Sequence, residues 1–103
     1  MARKLIYAPS ALTDLDVMRR WQTQPGSGPA AIRRVKAIQA AIRRLKQTPC
    51  LYAVGQQPGV RELPCQGGYR ALYEVQPDTG RNDTAGDVRV LRVFGPGQDR
   101  DRL

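Results

Sequence analysis

The sequence contains no histidine, and few of its residues can hold a metal or carry redox chemistry. Its two cysteines, Cys50 and Cys65, do not form a C-x-x-C pair, and a single pair is no disulfide framework. Histidine is the commonest general base and a principal zinc ligand. Its absence therefore excludes Ser-His-Asp and Cys-His catalysis and leaves too few ligands for zinc. We expect reduced thiols, no metal ion and no cofactor.

Long apolar runs are also missing. No segment approaches the ~20 apolar residues of a membrane span, and the apolar run at residues 5–8 is too short for a signal-peptide core. The composition still supports a packed core, because 41% of the residues are hydrophobic and 103 residues suit one domain. We expect a single domain over residues 1–103, cytoplasmic and without membrane contact.

Negative charge is scarce relative to positive charge. Asp and Glu number 9 against 17 Lys and Arg, for a net charge of +8, and 14 of the 17 cations are arginine. A guanidinium group grips a phosphate or a carboxylate through two parallel hydrogen bonds, which an ammonium group cannot do. The imbalance therefore indicates an acidic partner, although it says nothing about the fold.

The first half of the chain has the pattern of a strand followed by two helices. Residues 4–8 predict a short strand that ends at Pro9, and Ser10 predicts the N-cap of a helix running to about Trp21. Asp14 and Asp16 lie near the start of that helix, where the helix dipole favours acids. The apolar side of the helix is predicted to consist of Leu12, Leu15 and Met18.

The second helix is the clearest element in the sequence. It is predicted to begin at Pro29, after the break at residues 24–28, and to end at Thr48-Pro49. Its apolar stripe has helical spacing, and we expect Ile32 to extend it backwards from Val35, Ile38, Ile42 and Leu45. A short Gly/Pro connection between two amphipathic helices predicts an antiparallel hairpin.

The second half of the chain is predicted to form strands. Residues 61–64, 69–76 and 88–94 are the candidates, and residues 77–87 form a polar, turn-rich loop. The predicted fold class is therefore α+β, with the order β-α-α-β-β-β and a helical hairpin packed on a small antiparallel sheet.

Arginines on the predicted strands are the best candidates for a functional site. By alternation, Arg70 shares a face with Leu72 and Glu74, while Arg92 shares one with Val88, Val90 and Phe94. Arginines held on a rigid sheet can position phosphates or carboxylates, although any one of them equally suits a solvated or ion-paired strand residue. Six further cations lie on the second helix: Arg33, Arg34, Lys36, Arg43, Arg44 and Lys46. The first interpretation is that they form a solvated face of the helix, and the alternative is a surface for nucleic acid or an acidic protein.

Three segments carry a resemblance to a known family. RELPCQGGYRALYEV at residues 61–75, VRVLRVFG at 88–95 and SALTDLDVM at 10–18 resemble the RelE/ParE superfamily of bacterial toxins from type II toxin–antitoxin modules. The resemblance covers about residues 4–96. It implies a toxin neutralised by a cognate antitoxin, whose acidic or amphipathic segment wraps it in a hetero-oligomer.

The resemblance implies one of two targets. RelE-like members cut messenger RNA in the ribosome, and Arg61 and Arg70 match basic positions of that branch, with Tyr69 as a third candidate catalytic residue. However, Leu63 stands where that branch often has lysine, and GPGQDR after Phe94 offers Arg100 but no tyrosine or histidine. These departures favour the ParE-like branch, whose members bind DNA gyrase without an enzymatic step.

Two further interpretations remain beside the gyrase-binding toxin. One is a ribosome-dependent messenger RNA endonuclease, and the other is a non-toxic nucleic-acid-binding module. For contact with target or antitoxin, the sequence offers five candidates: Arg61, Arg70, Arg89, Arg92 and Arg100.

Overall fold

The computed structural model describes residues 3–22, 24–26 and 28–96. Along the chain, the elements are β1 (Leu5–Tyr7), α1 (Pro9–Gln22), α2 (Gly28–Arg43), β2 (Arg61–Pro64), β3 (Arg70–Gln76) and β4 (Asp87–Phe94). The α+β class and the order β-α-α-β-β-β are confirmed. Within the described residues, neither helix is long and apolar enough to cross a membrane.

The four strands form one sheet in the order β1-β4-β3-β2. Both β2–β3 and β3–β4 are antiparallel, but β1 pairs with β4 in parallel, with Leu5 opposite Val88 and Tyr7 opposite Val90. The sheet is therefore mixed rather than wholly antiparallel. A tight hairpin forces antiparallel pairing, whereas β1 is joined to the other strands only through the long helical hairpin, which permits the parallel arrangement.

The second helix packs largely as predicted. Its side chains Val35, Ile38, Ile42 and Leu45 are all buried, the last in a 3-10 turn at Arg44–Lys46 that continues α2. Ile32 is 46% exposed, so the predicted extension of the stripe is wrong. Since each helical residue turns by about 100°, Ala31 falls at the centre of the stripe and is buried, while Ile32 points about 100° away.

The first helix begins two residues earlier than predicted, because a Ser10 N-cap would make Ala11 its first residue. Pro9 is its first residue, so Ser10 lies inside the first turn rather than at the N-cap. The first turn contains no acid, and Asp14 instead reaches β4. Ala11 and Met18 enter the core, whereas Leu12 is 54% exposed and does not share their buried side.

A β-bulge in β4 changes which residues share a face. Leu72 lies opposite Arg92 and Tyr73 lies opposite Val90, which leaves Leu91 as an extra residue in β4. Val93 therefore joins Val88 and Val90 in the main core beneath the helices. A smaller cluster of Val60, Leu72 and Phe94 lies apart from that core, on the outer face of the sheet away from the helices. The predicted face shared by Arg92, Val88 and Val90 is thus wrong, because strict alternation cannot anticipate a bulge.

Candidate functional site

Arg61, at the start of β2, is held in an ion pair with Asp78. Its Nε and Nη2 atoms donate to the two carboxylate oxygens of Asp78, each at 2.9 Å, and its Nη1 donates to the carbonyl oxygen of Tyr52 at 2.5 Å. The Arg61 side chain is only 11% exposed. The hydrogen bond from Arg61 lowers the pKa of Asp78, and the same bond raises the pKa of Arg61. Arg61 therefore fastens the loop between β3 and β4 to β2.

Two further side chains, Asn82 and Arg3, fasten the same loop, and Tyr73 of β3 fastens the segment that precedes β2. The Tyr73 hydroxyl donates to the carbonyl of Pro49 at 2.8 Å, and burial raises the pKa of that phenol above its ordinary value. The Asn82 side chain accepts from the Cys50 amide at 2.7 Å, and the Arg3 guanidinium donates to the carbonyls of Asn82, Ala85 and Gly86. We call the set Arg61, Asp78, Tyr73, Asn82 and Arg3 the loop anchor.

Arg61 and Arg70 lie on opposite faces of the sheet. Arg61 is opposite Tyr73, which is fully buried in the main core, whereas Arg70 is opposite Pro64 and Phe94, the latter in the outer cluster. Three residue steps of β3 separate the two pairings, about 10 Å at 3.3 Å per residue. The residues predicted for RNA cleavage therefore do not converge on one point.

Arg92 is also engaged in an ion pair. It donates to Asp14 through Nε at 2.7 Å and through Nη2 at 3.1 Å, and its guanidinium carbon lies 4.8 Å from the centre of the Phe94 ring. The Asp14 carboxylate also accepts from the Val93 amide at 2.9 Å. Since β1 pairs with β4 only as far as Val90, Asp14 satisfies an amide that no strand reaches, which fixes α1 against the end of β4.

The remaining candidate arginines differ in exposure. The Arg89 side chain is 53% exposed on the outer face, with Glu74 at 3.9 Å and Ile6 in the adjacent strand position. Arg70 is half-buried, and no described acid forms a salt bridge with it. Arg100 lies outside the described residues. The predicted contact roles of these arginines with target or antitoxin stay predictions.

An open groove lies where the second half of α1 meets the end of β4. It encloses about 340 Å³, and we call it the Trp21 groove after its tryptophan; its lining is Asp14, Val17, Met18, Trp21, Tyr69, Val93, Gly95 and Pro96. Trp21 is 66% exposed and Val17 is 45% exposed. The sequence contained one indication of this groove, since two large apolar residues four positions apart lie off the buried side of α1.

A second groove is basic. It runs between the end of α2 and β1, encloses about 730 Å³, and is lined by Leu5, Tyr7, Ala40, Arg43, Arg44, Lys46 and Gln47; we call it the basic groove. No salt bridge between described residues involves Arg43, Arg44 or Lys46. Burial raises the pKa of Tyr7, although the positive charge of Arg43 acts in the opposite direction and lowers it in part.

The cysteines and acids offer little catalytic chemistry. Cys50 and Cys65 are free, and burial raises the pKa of the Cys65 thiol to about 11, so little of it is the nucleophilic thiolate at neutral pH. In the described part of the chain, no three Cys, Asp or Glu side chains are grouped to hold a metal ion.

One family model and the solved structures match this chain. The model of the family "ParE toxin of type II toxin-antitoxin system, parDE" matches residues 5–99. Among solved structures, the chain is similar to one described as the chromosomal ParDE TA system from P. aeruginosa, at 21% sequence identity and a TM-score of 0.70. That match covers 91% of this chain and 96% of the other, and 12 chains of solved structures match significantly. No curated protein matches significantly.

Proposed function

The chain belongs to the ParE toxin family of type II toxin–antitoxin systems, and we propose that it inhibits DNA gyrase by binding rather than by cleaving RNA. Within this proposal it is a non-enzymatic toxin that acts in the cytoplasm. A cognate antitoxin neutralises it by forming a hetero-oligomer with it.

The observation that carries the proposal is the separation of Arg61 from Arg70. Electrostatic catalysis of phosphoryl transfer needs several donors aimed at one developing charge, held within a few tenths of an ångström. Arg61 faces the helices and is neutralised by Asp78, while Arg70 faces away from them. With no histidine in the sequence to supply a base, a chain so arranged is better suited to binding than to catalysis.

The antitoxin contact is assigned within this proposal to the basic groove. Arg43, Arg44 and Lys46 line it without compensating acids among the described residues, and Leu5 and Tyr7 add apolar surface. An acidic, amphipathic segment suits such a groove, because its carboxylates meet the cations and its apolar side chains cover the floor. Arg43→Glu is expected to weaken antitoxin binding, whereas Arg33→Glu, in the first turns of the same helix, serves as its control.

The direct test is a supercoiling assay with purified toxin, DNA gyrase, relaxed plasmid and ATP. We expect toxin at micromolar concentration to inhibit supercoiling and the pre-formed toxin–antitoxin complex to leave supercoiling intact. Unchanged supercoiling at micromolar toxin would rule the proposal out.

The alternative of a ribosome-dependent endonuclease is tested in a translation extract. We expect no new messenger RNA cleavage when the toxin is added. If cleavage appears and Arg70→Ala abolishes it, the endonuclease interpretation replaces ours.

A non-toxic nucleic-acid-binding module makes a different prediction. Its expression would leave growth unaffected, and its binding to oligonucleotides would weaken steeply with salt. We expect instead that expression arrests growth and that co-expression of the antitoxin restores it.

A further inference from the structure

We infer that the open edge of β1 takes up an extended, acidic segment of the antitoxin as a fifth strand of the sheet. Carboxylates at alternate positions of that strand are recognised by Arg43, Arg44 and Lys46. The inference rests on the part of the proposed function that assigns the antitoxin to the basic groove, and it specifies how the segment is held there. It does not depend on the identity of the target.

The backbone of β1 is paired on one side only. The Lys4 carbonyl and the Ala8 amide, at its two ends, form hydrogen bonds with β4 at 2.9 and 2.8 Å. In a parallel ladder alternate residues turn their backbone groups to the partner strand, so Ile6 also faces β4, while Leu5 and Tyr7 turn theirs away. Since β1 is the last strand of the sheet, the N–H and C=O groups of Leu5 and Tyr7 have no strand partner. No other described residue forms a hydrogen bond with them.

The opposite edge of the sheet is covered by the chain itself. The segment before β2 lies along that edge, where the Glu62 amide donates to the Ala53 carbonyl at 3.2 Å and Val54 forms a β-bridge with Arg61. An unpaired strand edge is a template for pairing with another chain, and proteins usually cover it. Within the described residues, β1 therefore provides the edge of this sheet that remains available to a partner.

The basic groove runs beside this open edge. Leu5 and Tyr7 pack against the main core, so their side chains lie on the helix side of the sheet, and they line the groove with three exposed cations, Arg43, Arg44 and Lys46. No salt bridge between described residues neutralises these cations. A strand added to β1 places every second side chain on the helix side, beside the cations. A carboxylate at those positions supplies the missing counter-charge.

A peptide strand suits the edge better than a nucleic acid or a second copy of the chain. The phosphate backbone of a nucleic acid only accepts hydrogen bonds, which would leave the Leu5 and Tyr7 carbonyls unpaired, whereas a peptide supplies donors and acceptors in alternation. A second copy paired edge to edge would bring its own Arg43, Arg44 and Lys46 close to the first set, and repulsion between like charges opposes that arrangement.

The alternation of the added strand also predicts its second face. Ile6 points to the outer face of the sheet, away from the helices, and is 45% exposed. An apolar residue beside Ile6 on the added strand would cover it. The segment that binds here is therefore expected to alternate acidic and apolar residues.

Amide hydrogen exchange of the full-length toxin, measured by NMR, tests the edge directly. In the free toxin we expect the Leu5 and Tyr7 amides to exchange fast and the Ile6 and Ala8 amides, which are bonded to β4, to exchange slowly. A probe peptide of alternating Glu and Val should slow exchange at Leu5 and Tyr7 at least ~10-fold, and the purified toxin–antitoxin complex should show the same protection.

Two methylated versions of the peptide test whether it binds as a strand. One carries backbone N-methyl groups on its Glu residues and the other on its Val residues. The N–H groups of a strand point alternately to its two sides, so only one of the two sets faces β1. We expect one version to bind at least ~10-fold more weakly and the other to bind like the unmethylated peptide. Loss with methylated Glu indicates an antiparallel strand, and loss with methylated Val indicates a parallel one.

The matched toxin variants are Arg44→Gln and Arg33→Gln. Both remove an exposed arginine of the second helix or its 3-10 continuation, but Arg33 does not line the basic groove. We expect Arg44→Gln to weaken binding of the alternating peptide about 3-fold, as loss of one exposed ion pair does, and Arg33→Gln to leave it nearly unchanged. Equal effects of the two variants would contradict recognition by the groove cations.

Several outcomes would overturn the inference and leave the gyrase proposal standing. These are a peptide that does not bind at millimolar concentration, equal affinity of the two methylated peptides, and an antitoxin complex in which the Leu5 and Tyr7 amides stay unprotected. Protection by a DNA oligonucleotide in place of the peptide would assign the edge to nucleic acid. Protection that rises with toxin concentration alone would assign it to a second copy.

Failure of the proposed function gives a different result. If the antitoxin binds Arg43→Glu as tightly as wild type, its assignment to the basic groove fails and takes this inference with it. If the toxin leaves gyrase unaffected, the proposed target is overturned alone, because the peptide and exchange measurements do not involve gyrase.

Discussion

The loop anchor and the Trp21 groove use their residues in opposite ways. In the loop anchor, charged and polar side chains satisfy one another, and Arg61 is only 11% exposed. In the Trp21 groove, the largest aromatic residue of the chain is 66% exposed. The difference shows that in a strongly basic protein the arginines with the best geometry can be structural, while a large apolar side chain of α1 is left unburied.

The largest expected effect on stability concerns the Arg61–Asp78 pair. Asp78→Asn leaves the guanidinium of Arg61 enclosed without its counter-charge, so we expect it to lower the free energy of unfolding by about 2 kcal/mol. Asp83→Asn is the matched control in the same loop, because Asp83 and Arg81 are 64% and 73% exposed. Its effect should stay within about 0.5 kcal/mol, since exposed pairs contribute little. Urea unfolding measures both, and equal effects would remove the distinction between enclosed and exposed pairs.

The same pair predicts a pH dependence. The pKa of Asp78 is lowered in the folded protein, so its contribution to stability is complete above the unfolded pKa of about 4 and is lost as the pH falls through the folded pKa. The difference in unfolding free energy between wild type and Asp78→Asn should therefore be constant from pH 7 to about 5 and shrink below about pH 4. A difference that grows on acidification would contradict the assignment.

A smaller effect is expected from Tyr73→Phe. The substitution removes the hydroxyl that donates to Pro49 in a buried position, which should cost about 1 kcal/mol in unfolding free energy. Tyr52→Phe is the control, because no hydrogen bond between described residues uses the Tyr52 hydroxyl, and we expect it to be nearly neutral. If the two variants unfold at the same urea concentration, the Tyr73 hydroxyl does not belong in the loop anchor.

The smallest effect on stability is expected from Trp21→Ala. A side chain that is 66% exposed buries only about a third of its area on folding, so the free energy of unfolding should fall by about 1 kcal/mol or less. Urea unfolding of the variant measures the change. A large destabilisation would instead place Trp21 among the core residues.

Much of the fold could be predicted from the sequence, because the spacing of apolar residues indicates both the type of element and the side of it that is buried. The stripe of α2 and the strands at residues 61–64 and 88–94 agree with the structure to within one residue, and the ParE-like branch of the resemblance is confirmed. The parallel pairing of β1 and the bulge at Leu91 were not predictable, since both depend on contacts between distant segments. Ile32 was assigned wrongly because a stripe was extended by hydrophobicity alone.

The site was harder to predict than the fold. The sequence singled out the strand arginines as candidates, and their contact roles stay predictions; it could not show that Arg61 would meet Asp78 or that Arg92 would meet Asp14, 78 residues earlier. Composition counts every arginine as available for a partner, whereas ion pairs between distant segments of the fold neutralise some of them. The sequence placed Trp21 only at the approximate end of a helix. It could not show that the indole is exposed, because exposure depends on how the other elements pack around it.

We propose that this toxin works as a stoichiometric binder and not as a catalyst. The most direct test is supercoiling inhibition as a function of the molar ratio of toxin to gyrase, followed over time. We predict that half-inhibition requires toxin at or above half the gyrase concentration, that the extent does not progress with time, and that excess antitoxin reverses it. Inhibition that proceeds to completion with toxin far below the gyrase concentration, or no inhibition at any ratio, would contradict the claim.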